Sequence, residues 1–257
     1  MVTLSILGSG SGGNAAVLAT SRTRVLLDVG FSRREMLRRM LLAGYAPEQL
    51  DGVLITHEHG DHVCGLPRLA EKLAAPVYLN EGTRAALGAA GGALPRPETI
   101  AAGVSFQIGD IEVTPFSVPH DAADTLAFCF RAEGVRIAFV TDLGYLAPHV
   151  LERLRGADCL VLESNHDLEM LKNGGYPWAL KQRVASRLGH LSNHSLAEFL
   201  HGQFDGAAAH VVLAHLSENN NLPSLAMISA QRALAPRARV PQIHLARQDR
   251  PLGSINF

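Results

Sequence analysis

Short apolar runs, each closed by glycine, a turn pair or a single polar residue, recur along the chain and predict strands. They fall at residues 2–7, 15–20, 24–27, 53–55, 77–79, 104–108, 111–118, 125–131, 135–141, 159–162 and 211–214, with 240–245 as the last strand. Gly109-Asp110 and Glu133-Gly134 are tight-turn pairs, so the runs flanking each read as hairpins, as do 15–20 and 24–27. Helical spacing is expected at 32–43, behind the capping box Ser32-Arg-Arg-Glu35 and stopped by Gly44. Further helices are expected at 62–73, 147–155, 176–188, 196–201 behind Ser195-Leu-Ala-Glu198, and 222–234. Arg33, Arg34, Arg38 and Arg39 on the first helix read as a solvated face. Residues 88–103, rich in Ala, Gly and Pro, read as a surface loop. Strands come first and then alternate with helices, in two comparable halves. That order predicts an α/β protein of two mixed sheets packed face to face with helices outside, one domain over residues 1–257.

The polar residues that close these runs carry the chemistry. Asp28, His57, His120, Asp142, Glu163 and His215 each stand at or just beyond the end of an apolar strand. Sheets gather function at strand ends, where rigid backbone meets variable loop, so six such residues predict one shared site. The densest stretch is Thr56-His57-Glu58-His59-Gly60-Asp61-His62. His57 and His59 are two apart, which in extended chain turns both rings to one side. Asp61 and His62 follow a glycine that lets the chain turn. The loop can therefore offer two ligands to one ion and two to another. Imidazole with carboxylate suits zinc, manganese or iron, whereas calcium takes oxygen alone.

Composition narrows the classes without naming one. A chain of 257 residues with 47% hydrophobic and 18% charged residues builds a substantial core. Its net charge of −1 supplies no global basic field of the kind that marks many nucleic-acid binders. Three widely spaced cysteines, Cys64, Cys129 and Cys159, argue against a disulfide framework and for a reducing cytoplasm. The N-terminal run lacks a basic region before it and reads as a first strand, not an export signal. No apolar run approaches a membrane span. The loop Gly8-Ser-Gly-Ser-Gly-Gly-Asn14 could present amides to a phosphate but lacks the Lys-Ser/Thr ending of a P-loop, so a bare turn is as good a reading.

The motif His57-x-His59-x-Asp61-His62, with Asp28 before it and His120, Asp142 and His215 after it, resembles the metallo-β-lactamase superfamily over essentially the whole chain. A finer likeness is to its YycJ (WalJ)-like branch of small metal-dependent exonucleases. It rests on Ser9-Gly-Ser-Gly-Gly-Asn14, Glu163-Ser-Asn-His166-Asp, Tyr176-Pro-Trp178-x-Leu-Lys181, Gly189-His190-Leu-Ser-Asn193 and Leu213-Ala-His215-Leu-Ser217. RNase Z and RNase J are similar at greater distance. The resemblance implies a four-layer αββα sandwich with two divalent metal ions, zinc or manganese with iron also possible. His57, His59 and His120 would hold the first ion, Asp61, His62 and His215 the second, and Asp142 both, with Asp28 behind the ligand loop. It further implies a phosphodiesterase, a 5′-to-3′ DNA exonuclease. In such enzymes hydroxide shared by the ions attacks phosphorus, Asp61 is part of the catalytic set, and Glu163 with His190 protonates the leaving oxygen. His194, four residues on, competes with His190 for that part. A small-molecule hydrolase (of a thioester, lactone or cyclic nucleotide) and an RNA nuclease are the alternatives. The chain lacks room for the β-CASP domain of RNase J and shows no glycine- and lysine-rich arm. Candidate substrate contacts are Ser11, Asn14, His166, Tyr176, Trp178, Lys181 and His194, with Lys172, Arg183 and Arg187 beside them. Trp178 either stacks on a base or packs a helix onto the sheet.

Overall fold

Near-continuous apolar strands need cover on both faces, and here they are collected into two seven-stranded sheets. The structure is a computed structural model that describes residues 1–70, 72–88, 94 and 96–257. The chain divides into two compact units, one comprising Met1–Ser117, Ala122–Val135 and Arg247–Phe257, the other Val118–Asp121 and Arg136–Ala246.

The strands of the first sheet are β1 (Thr3–Gly8), β2 (Ala15–Ala19), β3 (Arg24–Leu27), β4 (Gly52–Leu54), β5 (Val77–Leu79), β6 (Pro97–Thr99) and, from the C-terminal tail, β14 (Ile255–Asn256). Their order is β14-β1-β2-β3-β4-β5-β6, all within the first unit. β1, β2 and β3 pair antiparallel, with Leu4 opposite Leu18 and Val17 opposite Leu26. From β3 to β6 the pairing is parallel, so β3 and β4 end side by side, Leu27 beside Leu54. Asp28 and the His57 loop therefore leave the sheet together. Helices α1 (Arg33–Leu42) and α3 (Leu66–Ala70) cover this sheet, burying Met36, Met40, Leu66 and Leu69 among Leu26, Val53 and Val77.

The second sheet has the order β13-β12-β11-β10-β9-β8-β7. Strands β7 (Phe106–Ile108), β8 (Ile111–Ser117) and β9 (Leu126–Ala132) form an antiparallel meander. Strands β10 (Val135–Val140), β11 (Cys159–Glu163), β12 (His210–Ala214) and β13 (Gln242–Leu245) pair in parallel. In that register Glu163 lies opposite Ala214, which puts His215 one residue beyond it. The helices of the second unit are α5 (Pro148–Leu154), α6 (Leu168–Asn173), α7 (Trp178–Val184), α8 (Asn193–Glu198) and α9 (Pro223–Leu234).

Most predicted strands stand within a residue or two of their observed bounds, and both two-residue turns are present, Glu133 and Gly134 with φ of 49° and 81°. The differences are local. The single helix expected at 62–73 is two short ones, α2 (Gly60–Val63) and α3, because the Gly65 amide donates to Val29 O at 2.9 Å and bends the chain away. The helix expected behind Ser195 starts earlier. Ser192 is its cap, its hydroxyl accepting from Ser195 N at 3.0 Å, and the run after Glu198 is a π-helix turn, Phe199–Gln203. Helix α7 is shorter than 176–188. Residues 240–245 do not hold the last strand, since β14 adds to the edge of β1 with Thr3 opposite Asn256. Arg39 is not on a solvated face. It is 4% exposed, donates to Leu7 O at 2.9 Å and lies over the Phe31 ring, while Glu35 pairs with it and with Arg38 instead of closing the capping box. Of the stretch 88–103, residues 89–93 and 95 lie outside the described residues; within the rest β6 was not foreseen, nor was helix α4 (Glu81–Leu87) just before it. All three cysteines are free, and among the described residues no helix is long and apolar enough to cross a membrane.

Candidate active site

In the first unit the site is built around the ends of β3 and β4. Asp28, first beyond β3, has a left-handed φ of 59°, which turns its carboxyl back over the next strand. It accepts from Thr56 N at 2.9 Å, from the Thr56 hydroxyl at 3.0 Å and from His62 Nδ1 at 2.8 Å. Burial pushes the Asp28 carboxyl up; the His62 and Thr56 contacts oppose it. The Thr56 hydroxyl also meets His57 Nδ1 at 3.0 Å. Thr56 is thus the hub that aims both histidines, and it was missed because a threonine beside a histidine carries no signal by itself. The His57 ring lies 4.7 Å from His59 and 4.2 Å from His62, centroid to centroid.

The glycine-serine loop supports Asp61 and His62 and offers no phosphate cradle. Its amides at Ser9, Gly10, Gly12, Gly13 and Asn14 donate to Arg247 O, Asn14 Oδ1, Gln248 Oε1, Gly10 O and Asp61 O. Asn14 is 6% exposed and donates to His62 Nε2 at 3.1 Å and to Asp61 Oδ2 at 3.3 Å. Ser11 is exposed at the loop tip. Gly30 lets this loop approach the segment His57–His62. A Cβ there would lie 1.8 Å from Asp61 O and 2.5 Å from Asn14 N, both backbone atoms.

In the second unit the ends of β10, β11 and β12 are adjacent and supply Asp142, Glu163 and His215. Asp142 and His215 again have left-handed φ, 59° and 53°. Among the described residues only Arg96 and Glu133 share that geometry outside glycine, so three of five such strained positions fall at these strand ends. Glu163 is fully buried. Its Oε1 accepts from His190 Nδ1 and from His215 Nδ1, each at 2.8 Å, and its Oε2 from Leu143 N at 2.9 Å and Leu191 N at 3.2 Å. Burial alone would raise this carboxyl; the two imidazoles overcome it and hold it ionised. For His190 burial lowers the pKa, and Glu163 outweighs it and raises the group. His215 Nε2 lies 3.3 Å and His120 Nε2 4.0 Å from Asp142 Oδ1. His120 Nδ1 donates to Gly189 O at 3.1 Å. Ligand atoms of Asp142, Glu163, His190 and His215 all lie within 4.8 Å of one another.

The segment after β11 runs beside residues 191–193, with Asn165 N donating to Leu191 O and Asn193 N to His166 O. A buried network locks the two together: Ser164 Oγ donates to Asn193 Oδ1 at 2.6 Å and Asn221 Nδ2 to Asn165 O at 2.9 Å, while Asn165 Nδ2 reaches His215 O. Asn221 gave no sequence signal. His166 is buried, not a water-exposed loop residue, and burial drops its pKa to about 4. His194 is set outward on α8 with Glu198 3.5 Å away, whereas His190 faces Glu163. Tyr176 accepts from Asn219 at its hydroxyl, Lys181 donates to Lys172 O, and Trp178 is 72% exposed, which rules out its packing a helix onto the sheet.

The donor set fits divalent metals. His57, His62, His120 and His215 each direct Nδ1 at an oxygen acceptor, which places the proton there and the lone pair on Nε2, the atom able to bind a cation and, on His62, the one that Asn14 now faces. Histidines and carboxylates so prepared, at strand ends of two mixed sheets, define a metal-dependent hydrolase. The chain belongs to the metallo-β-lactamase superfamily: residues 23–216 match the family model described as the beta-lactamase superfamily domain. It is similar to the exodeoxyribonuclease YycJ of Bacillus anthracis, 38% identical over 232 residues that cover 90% of this chain and 88% of that protein. The exodeoxyribonuclease WalJ of Streptococcus pneumoniae is 36% identical over 237 residues, 90% of this chain and 87% of that one. Among solved structures, the metallo-β-lactamase fold protein YhfI of Bacillus subtilis superimposes with a TM-score of 0.76 at 16% identity, over 98% of this chain and 99% of that one. Human tRNase Z, short form, gives 0.66 at 17% identity over 98% of each.

Proposed function

We propose that this protein is a dinuclear metal-dependent phosphodiesterase acting as a 5′-to-3′ DNA exonuclease in the cytoplasm, its two units serving one hydrolase domain. His57, His59 and His120 would hold one ion, and Asp61, His62 and His215 the other, with Asp142 common to both and Asp28 orienting His62. The family relationship and the names of the relatives support this assignment. So does the prepared Nε2 lone pair on four of the histidines, a donor set that zinc, manganese and iron share. Bound divalent ions would supply Lewis-acid stabilisation of the phosphate oxygens and activation of the attacking water.

The observation that carries the phosphodiester reading is the pairing of Glu163 with His190. Glu163 is an ionised, buried acceptor, so the His190 Nδ1 must carry a proton and Nε2 is the atom that exchanges with substrate. The carboxylate stabilises the imidazolium form, from which Nε2–H passes its proton to the departing 3′-oxygen. Hydrolysis of a thioester expels a thiolate, which leaves without such a proton donor. The test is a panel of 5′-end-labelled DNA, RNA, lactone and thioester substrates with manganese and with zinc. DNA shortened from its 5′ end is expected. Turnover of the lactone or thioester with DNA intact would refute the reading, and preference for RNA would make it an RNA nuclease. His190→Ala should keep its metal and lose most of its rate, while His194→Ala should retain it.

A further inference from the structure

Helix α7 is a helix without a core. None of its seven residues is buried, and Trp178, the single tryptophan of the chain, opens it at 72% exposure. Polar contacts hold it in place instead. Lys181 Nζ donates to Lys172 O at 2.7 Å, Arg183 pairs with Asp121 next to His120, and Val184 O accepts from His190 N at 2.9 Å. The chain then folds tightly under the helix, where a Cβ on Gly189 would lie 2.2 Å from Val184 O. Arg187 stacks on Tyr145, its guanidinium 4.0 Å from the ring centroid. Helix α7 is thereby fixed to the loops that carry His120, Asp142 and His190. Its charge is one-sided: residues 170–190 contain Lys172, Lys181, Arg183 and Arg187 and no carboxylate, in a chain of net charge −1.

A large exposed indole costs solvation and gives nothing to the fold here, so its use lies in what it meets. Lys172, Lys181 and Arg187 around it call for a polyanion, and an aromatic face among cations matches a strand whose bases are unstacked. We propose that α7 is a platform for single-stranded DNA, on which Trp178 stacks a base of the unpaired end while Lys172, Lys181 and Arg187 engage its phosphates. This rests on the reading of the protein as a DNA exonuclease and adds to it the strand form that the site accepts.

Because Trp178 is alone, its emission reports the contact directly. Metal-loaded protein is titrated with a phosphorothioate-linked decathymidylate, which resists cleavage, and with a blunt duplex of the same length. Saturable quenching by the single strand, weakening steeply with salt, is expected, and far less by the duplex. By anisotropy of labelled oligonucleotide, Trp178→Ala should lose about 5- to 150-fold in affinity and Trp178→Phe should recover most of it. Replacing Lys172 and Lys181 together by Gln should lower the slope of log affinity against log salt by about 1.4. Unchanged emission at saturation, or unchanged affinity of Trp178→Ala, overturns the platform. Emission that instead follows protein concentration without DNA, together with a larger sedimenting mass, makes the surface a contact between copies and overturns it too. If the parent protein cleaves no DNA at all, the exonuclease reading fails; if it cleaves DNA with Trp178 silent, only the platform fails.

Discussion

Replacing Glu163 by Gln changes one atom of a buried group that four donors face, and the consequence follows from which donors can adapt. Leu143 N and Leu191 N are backbone amides and can only donate, so the Gln oxygen must turn to them. Its NH₂ then points at His190 Nδ1 and His215 Nδ1, both now 2.8 Å from Oε1. Two donors cannot share that contact, so both imidazoles must move their proton to Nε2. The His215 nitrogen that faces Asp142 at 3.3 Å is thereby blocked as a ligand. Each lost charge-assisted bond is worth about 1.5–3 kcal/mol, and only the one to His215 bears on metal affinity. The expected loss is about 10- to 150-fold, in line with the roughly 10- to 100-fold typical of partners behind metal ligands. Zinc and manganese affinities measured by competition with a chromogenic chelator give the magnitude, and the ¹⁵N shifts of the two imidazoles give the tautomer. Parental affinity with Nδ1–H retained on His215 would refute the argument.

Three further changes probe the rest of the framework. Gly30→Ala forces a methyl onto Asp61 O and Asn14 N and should destabilise by about 1–3 kcal/mol in urea unfolding, with reduced metal content; parental values on both would show that this backbone yields. Thr56→Val removes the hydroxyl that His57 Nδ1 meets and Asp28 accepts from, and should lower metal affinity about tenfold or more with the helical and sheet content intact by circular dichroism. Glu35 is held at about 2 by its hydrogen bond to Arg38 first, against burial, and then by Arg39. With its folded pKa depressed, its stabilisation is present above the unfolded value of 4.5 and is lost as pH falls toward 2. Glu35→Gln should therefore unfold at lower urea than the parent at pH 6, with the gap closing between pH 5 and 2.5. A gap constant with pH would exclude a charge effect.

Local pattern was enough to find all the strands but β6 and β14, and the residues at their ends. Burial on both faces forces apolar runs of strand length, and the polar residue that closes a run marks where the sheet stops, as at Asp28, His57, Asp142, Glu163 and His215. The spacing within His57-Glu58-His59-Gly60-Asp61-His62 likewise carried its own chemistry. Where the sequence misled, a neighbour distant in the chain had decided the outcome. Arg39 is buried because Leu7 O and Phe31 receive it, and α8 is capped at Ser192, not Ser195, where Asn193 N donates to His166 O. Two-residue β14 forms only because β1 offers an edge.

What the sequence determined by itself is thus the inventory: which residues are apolar in strand-length runs, and which ligand types end them. Tertiary structure alone decided their protonation and aim. Glu163 and His190 are 27 residues apart, Glu163 and His215 52, and Asp28 and His62 34. No local propensity encodes that these nitrogens share an acceptor, because a hydrogen bond depends on where parallel strands terminate against one another. The left-handed turns at Asp28, Asp142 and His215 have the same origin, since only the surrounding packing can hold non-glycine backbone there.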